Sequence, residues 1–369
     1  MQFTKTVILV LIGIAAAVQA DTSAVRLDAI KLPAGFHIGL FTDQIPNARS
    51  LTLGEDGTVY VGTLSTGKVY ALRDANRDGR ADSVQVVASG LNAPNGVAYL
   101  SGDLYIAEIS RIVKLKDIGA HLGNPPQPEV VYEGYPSDKH HGWKYLRVGP
   151  DGKLYAPVGA PCNICLSENE IFATLTRLDP DGKNLEIFAR GIRNTVGFDW
   201  QPQTRELWFT DNGRDMLGDD IPPEELNHAP RAGLHFGYPY CHAGSIADPE
   251  YGGAKPCKDF APPAWKFPAH VAPLGMHFYR GNAFPEAYRG QLFVAQHGSW
   301  NRKQPQGYRV VLVRFQNGQP ASDEVFAEGW LQPNGEVLGR PVDILELQDG
   351  SLLLSDDSRG AIYRISYQP

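Results

Sequence analysis

The chain has 369 residues, of which 43% are hydrophobic, and its 34 basic and 41 acidic side chains give a net charge of −7. This acidic balance argues against nucleic acid and anionic membranes as partners. Outside the first twenty residues no apolar run is long enough to cross a bilayer, so membrane insertion is not expected.

The first twenty residues have the layout of a secretory signal peptide. They read MQFTKTVILVLIGIAAAVQA, with Lys5 near the start, an apolar run from Val7 to Val18 and small residues before Asp21. A basic start, an apolar centre and a small-residue cleavage site are typical of a cleaved leader. The sequence therefore predicts a signal peptide over residues 1–20, a mature chain over 21–369, and a periplasmic or secreted location.

The strands that follow recur as six similar phrases. Each phrase is a turn signal followed by a short apolar or aromatic strand. In chain order they are EDGTVYVGT, SGDLYIAEI, PDGKLYAPV, TRELWFTDN, RGQLFVAQH and QDGSLLLSD. Another strand precedes each phrase, and one or two more follow. Six units of about four strands, with scarcely any helical periodicity, predict an all-β fold: a six-bladed β-propeller with four-stranded antiparallel blades. A β-sandwich or two stacked β domains is the alternative.

One apolar or aromatic position is equivalent in all six phrases. It is occupied by Tyr60, Tyr105, Tyr155, Trp208, Phe293 and Leu353. The intervals are 45, 50, 53, 85 and 60 residues, so the largest falls between the fourth and fifth units. We therefore expect one domain over residues 21–369, with long insertions between blades four and five.

Four cysteines in an oxidising compartment fit two disulfides. The local pairings Cys162–Cys165 and Cys241–Cys257 are preferred, and the other two connectivities stay open. A c-type haem would need a histidine directly after Cys165, where Leu166 stands. Haem attachment is therefore excluded.

Hairpin geometry predicts which polar residues share one rim of the propeller. Antiparallel partners place the start of one strand beside the end of the next, so Arg193–Asn194 should lie beside the Asp211–Asn212–Gly213 segment. The same rule collects further residues on this rim, together with the segments QHGSWNR and SDDSRG: Asn47, Arg49, Asn92, Asn95, His140, His141, His270 and Arg340.

Arginines around a channel mouth, with histidines between them, suit an anionic ligand and proton transfer. The alternatives are a structural histidine at His141 and a brace for loop carbonyls at Arg193. Trp265, Phe267 and Trp300 either line a pocket or cap the core.

Two segments are candidates for calcium. DANRDGRAD places Asp74, Asn76, Asp78 and Asp82 at the alternating spacing of a calcium loop, with Gly79 at the sharp turn. Gln85 stands where a bidentate glutamate is expected, and its neutral amide brings no charge. A surface calcium turn and a metal-free turn are both left open. The acidic segment DNGRDMLGDDIPPEELN could hold calcium or be a solvated loop.

Five segments together carry a family resemblance. They are GIRNTVGFDW, WFTDNGRDMLGDD…EELN, GLHFGYPYC, AQHGSWNR and GRPVDI, in this order. Through them the chain resembles the soluble pyrroloquinoline quinone (PQQ)-dependent sugar dehydrogenases, the glucose/sorbosone dehydrogenase family. It is most similar to the L-sorbosone-dehydrogenase-like branch, and the resemblance covers nearly all of the mature chain.

The resemblance implies a catalytic pair. His141 matches the general base that takes the proton from the substrate hydroxyl while hydride passes to C5 of the quinone. Arg193 matches the residue that binds the C5 carbonyl oxygen and stabilises the negative charge developing there. Asn194 would hold the edge of the quinone.

It also implies further cofactor contacts. Gly213 and Arg214 match positions whose backbone carbonyls bind the cofactor's calcium, which would polarise the quinone as a Lewis acid. Arg340 matches a residue that pairs with the cofactor's carboxylates, a task suited to the guanidinium fork.

The chain departs from this family pattern in four places. Val342 replaces a second carboxylate-binding arginine. The lysine of blade five is replaced by HGSWNR, where His297 or Arg302 would substitute. The carboxylates expected near the base are replaced by His140 and Ala160.

The first reading is thus an exported enzyme dependent on PQQ and Ca2+. It would oxidise the anomeric hydroxyl of an aldose, or a sugar aldehyde such as sorbosone, to a lactone or acid, as a monomer or homodimer. Electrons would pass to an external acceptor, a cytochrome or a quinone. The second reading is a calcium-dependent lactonase or esterase with Asn95, Asn194 and Asp343 as metal ligands. The third is a ligand-binding propeller without a cofactor, favoured by the missing second arginine.

Overall fold

The structure is a computed structural model that describes residues 25–369. Each of the six predicted units lies in its own sheet of four antiparallel strands, and the sheet of blade three has a fifth, parallel strand in addition. The fold is therefore the predicted all-β six-bladed propeller. Short 3-10 helices span Leu27–Ala29, Ile118–His121, Cys257–Asp259 and Glu286–Tyr288. The predicted signal peptide, residues 1–20, lies outside the described residues.

The strands run in chain order as follows. The first is β1 (Phe36–Thr42). Blade one contains β2 (Ala48–Leu53), β3 (Val59–Thr63), β4 (Val69–Arg73) and β5 (Ser83–Ala88). Blade two contains β6 (Gly96–Leu100), β7 (Asp103–Ala107), β8 (Ile112–Leu115) and β9 (Glu129–Tyr132). Blade three contains β10 (Arg147–Val148), β11 (Leu154–Val158), β12 (Thr174–Leu178) and β13 (Glu186–Arg190).

Blade four begins with β14 (Phe198–Trp200), β15 (Leu207–Asp211) and β16 (Glu224–Ala229). The short strands β17 (Leu234–His235), β18 (Cys241–His242) and β19 (Ile246–Ala247) come next, and β20 (Trp265–Phe267) completes the blade. Blade five contains β21 (Pro273–Phe278), β22 (Leu292–Gln296), β23 (Arg309–Gln316) and β24 (Gln319–Ala327). Blade six contains β25 (Pro341–Glu346), β26 (Leu352–Asp356) and β27 (Ala361–Tyr367).

Strand β1 closes the ring. It pairs antiparallel with β27, from Phe36 opposite Tyr367 to Thr42 opposite Ile362, and so becomes the outer strand of blade six. The two ends of the described chain are therefore joined by a ladder of backbone hydrogen bonds. The repeat pattern alone did not predict this pairing.

The long insertion lies inside blade four, between β16 and β20, and not between blades four and five as predicted. Its strand β17 pairs in parallel with β13 of blade three, and β18 pairs with β19. The predicted location was wrong because an insertion in either place gives the same 85-residue interval between Trp208 and Phe293.

An apolar cluster fills the space between each pair of neighbouring blades. The six equivalent positions predicted from the repeats are each at most 4% exposed, and each belongs to a different one of these clusters. One buried side chain per blade thus packs against the adjacent sheet, which explains why an apolar residue recurs there.

Both preferred disulfides, Cys162–Cys165 and Cys241–Cys257, are present. The first closes a tetrapeptide in the connection between β11 and β12. The second lies in the insertion of blade four. Between residues 25 and 369 there is no helix with the length and apolarity needed to span a membrane.

Candidate active site

A cavity of about 640 Å³ opens on the rim that the hairpin rule predicted. Residues of blades one, three, four, five and six contribute to it. It is lined by Arg49, Leu64, Lys139, His140, His141, Trp143, Arg193, Asn194, Val196, Asn212, Gly213, Asp215, Glu224, His270, Ala272, Leu274, His297, Trp300, Asn301 and Asp357.

The hairpin of blade four brings its two ends together as predicted. The Asp211 carboxylate accepts hydrogen bonds from the backbone N–H groups of Arg193 (2.9 Å) and Asn194 (2.7 Å). The backbone N–H of Asn212 donates to the carbonyl of Asn194 at 3.2 Å. Asp211 therefore fixes the turn that presents Arg193 to the cavity.

His141 is held by a backbone carbonyl. Its Nδ1 lies 2.9 Å from the Ala160 carbonyl oxygen, which can only accept a hydrogen bond, so Nδ1 carries the proton in the neutral ring. Nε2 makes no hydrogen bond to the described residues. Burial, then Arg193 and His140, lower the pKa of His141 to about 2. His141 therefore presents a neutral imidazole whose lone pair lies on Nε2.

The other buried histidines of the cavity are committed to protein contacts. Nε2 of His270 lies 2.8 Å from the Gly218 carbonyl, and Nδ1 lies 3.3 Å from the Asn301 amide nitrogen. Nε2 of His297 lies 2.9 Å from the Asp357 carboxylate. Among these three histidines, His141 has the ring nitrogen best suited to accept a proton from a ligand.

The Arg193 guanidinium is held by four acceptors. Nε and Nη2 donate to the backbone and side-chain oxygens of Asn163, at 2.9 and 2.8 Å. Nη1 donates to the Asn212 carbonyl at 3.1 Å, and Nη2 also donates to the Asp215 carboxylate at 2.9 Å. Four of the five N–H groups are thus engaged. The remaining Nη1 hydrogen is the one left for a ligand.

The backbone of Ala160 connects His141 and Arg193. The Ala160 N–H donates to the Arg193 carbonyl at 2.8 Å, while the Ala160 carbonyl holds His141. His141 also has a positive φ of 49°, which is costly for a residue with a side chain. The tertiary structure thus imposes a fixed arrangement of the histidine beside the arginine.

Gly159 is required by this arrangement. A Cβ at position 159 would lie 2.5 Å from the His141 Cβ and 2.8 Å from its carbonyl oxygen. We expect Gly159→Ala to lower the unfolding free energy by about 1–3 kcal/mol and to reduce any activity that depends on His141, because one of the two residues must move. Urea unfolding measures the first effect. Gly253→Ala, which meets no atom within 4 Å, is the control. Equal stability of the two variants would contradict the prediction.

The neutrality of His141 also predicts an acid-dependent stability. Below pH 6.5 the unfolded chain binds a proton at this side chain and the folded chain does not, so acidification lowers the unfolding free energy. With a folded-state pKa of about 2, the loss amounts to about 2 kcal/mol at pH 5.

Urea unfolding at pH 7.5 and pH 5 tests this prediction. His141→Gln should lose less stability between the two pH values than the wild type, by that amount. His121→Gln, a change at a half-exposed surface residue, should lose as much as the wild type. Identical losses in all three proteins would show that His141 takes up its proton normally.

A second polar chain lines the opposite side of the cavity. Arg49 is 4% exposed and donates to the Asn95 side chain and to Asp357, both at 2.8 Å. Asp357 also accepts from His297. Burial alone would raise the pKa of Asp357, but His297 and Arg49 together hold it well below its usual range. Asp357 therefore stays ionised and keeps Arg49 in place.

The floor of the cavity is apolar. Val196, Leu274 and Val342 pack together, with Trp143 against them. Val342, which replaces an arginine of the family pattern, is 2% exposed in this cluster. The lining therefore presents Val196, Leu274 and Trp143 here, and Val342, packed behind them, brings no charge where the family pattern has an arginine.

Other predicted cofactor residues lie at the edge of the cavity or behind it. Arg340 donates through Nη2 to the Gly298 carbonyl at 2.9 Å and stands over the Tyr308 ring at 5.6 Å, so it supports the blade-five loop from behind. Arg302 pairs with Asp220 at 3.0 Å. Neither is among the lining residues, and their contacts with a cofactor stay predictions. His297, Gly213 and Asn194 do line the cavity, whereas Arg214 pairs with Asp248.

The predicted calcium loop lies on the opposite face of blade one, in the connection between β4 and β5. Gly79 has the expected positive φ of 89°. The carboxylates turn inward: Asp74 accepts from the N–H of Gly79 (2.9 Å), and Asp82 accepts from that of Asn76 (3.0 Å). Over residues 25–369, no group of three or more His, Cys, Asp or Glu side chains is arranged to hold a metal ion. The binding of calcium by Asp74, Asn76, Asp78 and Asp82 stays a prediction.

The three aromatic residues left open by the sequence differ in location. Trp300 lines the mouth of the cavity and is 68% exposed. Phe267 is buried between blades four and five, with Trp265 packed beside it.

The sequence pattern assigns no role to Trp143, Asn163 and Asn301. The hairpin rule could have indicated Asn163, since it follows the second strand of blade three.

Fold and cavity define this chain as a six-bladed propeller whose candidate site lies at one mouth of the central channel. The sequence model of the TrAA12-like family matches residues 178–368, and the chain belongs to that family. An uncharacterized protein of Borreliella burgdorferi is 33% identical over 353 residues, 92% of this chain and 91% of that protein. A PQQ-dependent pyranose dehydrogenase of Coprinopsis cinerea is 51% identical over 51 residues, 14% of this chain and 6% of that enzyme.

Two solved structures share the fold. The holo form of the pyranose dehydrogenase PQQ domain from Coprinopsis cinerea has a TM-score of 0.78 at 21% identity, over 91% of this chain and 97% of that one. A calcium structure of the Trichoderma reesei carbohydrate-active enzyme of family AA12 has a TM-score of 0.82 at 20% identity, over 95% of this chain and 100% of that one.

Proposed function

We propose that this chain is a PQQ-dependent dehydrogenase that oxidises a sugar at the rim cavity. One observation carries the proposal: a neutral histidine with Nε2 available lies next to a buried arginine, and Ala160 fixes both. A proton acceptor beside a fixed cation suits the oxidation of a hydroxyl group, in which a proton leaves and negative charge develops nearby. Membership of the TrAA12-like family and the local identity to a PQQ-dependent pyranose dehydrogenase support it.

The lining residues fit a flat, anionic cofactor. Arg49, Arg193 and Lys139 bring positive charge to the cavity, where Asp357 and Asp215 pair with the two arginines. Burial raises the pKa of Glu224 to about 8, so this carboxyl group adds little negative charge at neutral pH. The floor of Val196, Leu274 and Trp143 offers an apolar surface to an aromatic ring system.

Two buried polar atoms of the lining have no partner within the described part of the chain. They are Nε1 of Trp143, a donor, and Oδ1 of Asn301, an acceptor. Buried polar groups are nearly always hydrogen-bonded. A bound molecule with both donor and acceptor atoms would satisfy them, as PQQ or a sugar hydroxyl can.

When bound, PQQ would supply a two-electron acceptor for hydride. The protein would contribute position, charge and proton transfer. Nε2 of His141 would take the proton of the substrate hydroxyl, and the Ala160 carbonyl would stabilise the imidazolium through Nδ1–H. Arg193 would place positive charge beside the accepting carbonyl, with Asn194 at the edge of the ring.

The proposal includes a calcium ion bound by backbone carbonyl groups. Gly213 lines the cavity, and its N–H is bonded to the buried carboxyl of Glu224. The carbonyl groups of Gly213 and Arg214 would bind calcium beside the cofactor.

The substrate would be an aldose oxidised at the anomeric hydroxyl, or a sugar aldehyde such as sorbosone, giving a lactone or acid. Electrons would leave to an external cytochrome or quinone. The hydrolase reading has less support, because two of its three ligands are committed elsewhere. Asn95 accepts from Arg49, and Asp343 accepts from the Leu51 N–H (2.9 Å) and the Tyr145 hydroxyl (3.1 Å).

Export is also proposed. The leader pattern in residues 1–20 and the two disulfides suit a periplasmic or secreted enzyme. N-terminal sequencing of the protein from the host's periplasm or medium tests it. A mature chain beginning at Asp21 is expected, and retention of Lys5 in the exported protein would contradict the cleavage.

Titration of the metal-stripped mature protein with PQQ, with and without calcium, tests the function. We expect a saturable absorption change near one equivalent, bleaching by an aldose, and reduction of an added dye. Failure to bind micromolar PQQ would overturn the proposal. Lactone cleavage without PQQ would then favour the hydrolase, and tight binding of a partner without either activity would favour the cofactor-less propeller.

A further inference from the structure

We propose that Asn163 is the positioning residue for Arg193, and that the Cys162–Cys165 disulfide keeps Asn163 in place. The disulfide would thus be a functional part of the site. The inference rests on the proposed function for the role of Arg193, but the geometry that supports it does not involve a cofactor.

All polar atoms of the Asn163 side chain, and its carbonyl, are directed at the Arg193–Asp215 pair. Its carbonyl and Oδ1 accept two of the four hydrogen bonds of the Arg193 guanidinium. The same Oδ1 accepts from the Asp215 N–H at 2.8 Å, and Nδ2 donates to the Asp215 carbonyl at 3.1 Å. Asn163 therefore fixes both the arginine and the backbone of the residue that neutralises it.

The chain around Asn163 is anchored at Ala160, whose backbone bonds to Arg193 and His141, and at the disulfide. It belongs to the long connection between β11 and β12, residues 159–173, which contains no strand or helix. The disulfide closes a four-residue ring around Asn163 and Ile164. The Cys165 N–H is also anchored, by the Tyr238 hydroxyl at 3.1 Å. A ring this small restricts the backbone at position 163, and so fixes the direction of its carbonyl.

The Cys162–Cys165 disulfide should act mainly on the position of Asn163 and contribute little to the free energy of unfolding. Loop-closure entropy grows with the length of the closed loop, so Cys241–Cys257, with a separation of 16, should stabilise the fold more than Cys162–Cys165, with a separation of 3. The Cys241–Cys257 pair makes no hydrogen bond to Arg193. The two disulfides therefore form a matched pair in which stability and site geometry can be separated.

The first measurement needs no cofactor. Phenylglyoxal modifies guanidinium groups, and the rate at Arg193 can be followed by peptide mass spectrometry. Arg49 is the internal reference, because its side chain is also 5% exposed and hydrogen-bonded in the same cavity. Asn163→Ala should raise the rate at Arg193 about tenfold, since the hydrogen bond from Nη2 to Oδ1 is lost while the backbone carbonyl still accepts from Nε, and leave Arg49 unchanged. Asn163→Asp, which keeps both acceptor oxygens, should restore the slow rate.

The second measurement compares the disulfides. Cys162→Ser/Cys165→Ser should raise the Arg193 rate and weaken PQQ binding about tenfold, with a small fall in Tm. Cys241→Ser/Cys257→Ser should lower Tm more and leave the Arg193 rate unchanged. Reduction of the wild type by a phosphine should reproduce the first variant's faster reaction at Arg193.

Unchanged reactivity of Arg193 in both Asn163→Ala and Cys162→Ser/Cys165→Ser would overturn the inference. Equal acceleration at Arg49 would do the same, because it would indicate general loosening of the fold. If the wild type does not bind PQQ, the proposed function fails, while the phenylglyoxal rates still decide whether Asn163 positions Arg193.

Discussion

Replacing His141 with alanine should lower kcat for aldose oxidation by about 10²-fold, the low end of the range of 10² to 10⁴ for a positioned general base, because a base with a pKa of about 2 accepts a proton weakly. The change removes the neutral imidazole whose Nε2 is available to the ligand, and no other buried histidine of the cavity can replace it. His270 and His297 both use Nε2 in hydrogen bonds to the protein. PQQ affinity should change much less than kcat, because His141 acts on the substrate proton.

Stopped-flow bleaching of bound PQQ by an aldose isolates this step. Added imidazole should restore part of the rate in His141→Ala, since the cavity left by the ring can admit it. His121→Ala, a change on the surface of blade two, is the control for general effects of losing a histidine. A kcat for His141→Ala within threefold of the wild type would mean that another group takes the proton.

The pH dependence of the same reaction follows from the position of His141. Since its pKa is held at about 2, the imidazole is neutral throughout the range in which the protein can be assayed. The sequence raised the question of how His141 is oriented when Ala160 replaces a carboxylate of the family pattern. The Ala160 backbone carbonyl gives the answer, because it fixes the tautomer without adding charge. A neutral partner also leaves the pKa low, where a carboxylate would raise it.

Replacing Arg193 with lysine should lower kcat/KM by about 10²-fold and also destabilise the fold. Lysine keeps the charge but not the fork, so it cannot reach Asn163, Asn212 and Asp215 at once. Each acceptor left buried without a partner costs about 1–3 kcal/mol. This variant therefore tests the geometry of the cation, with its charge held constant.

Three measurements separate the effects: kcat/KM with an aldose, the Kd of PQQ, and the free energy of unfolding without PQQ. Arg205→Lys is the matched control, because its guanidinium is exposed on the opposite face and donates to the Pro150 carbonyl. Full activity in Arg193→Lys would show that a positive charge without directed hydrogen bonds is sufficient. Positioning of the guanidinium by Asn163 would then not be needed for activity.

Much of the site could be predicted because hairpins are local. In blades three to six, the residues before the first strand lie beside those after the second: His141 beside Ala160, Arg193 beside Asp211, His270 beside Asn301, and Arg340 beside Asp356. Turn residues and alternating strands identify each hairpin within some 25 residues. Antiparallel pairing then determines which ends meet, whatever the rest of the chain does.

The sequence by itself determined the six-fold repeat, the buried aromatic or apolar position of each blade and the rim that carries the polar residues, and it favoured the two local disulfides. These features depend on neighbours along the chain. The tertiary structure alone decided the closure of the ring by β1, the place of the insertion within blade four, the chain from Arg49 through Asp357 to His297, and the clamp of Asn163 on Arg193. The reason is physical: these contacts join segments 30 to more than 300 residues apart. Strand periodicity carries no information on which distant loops meet, and only the closed ring of blades brings them to one channel mouth.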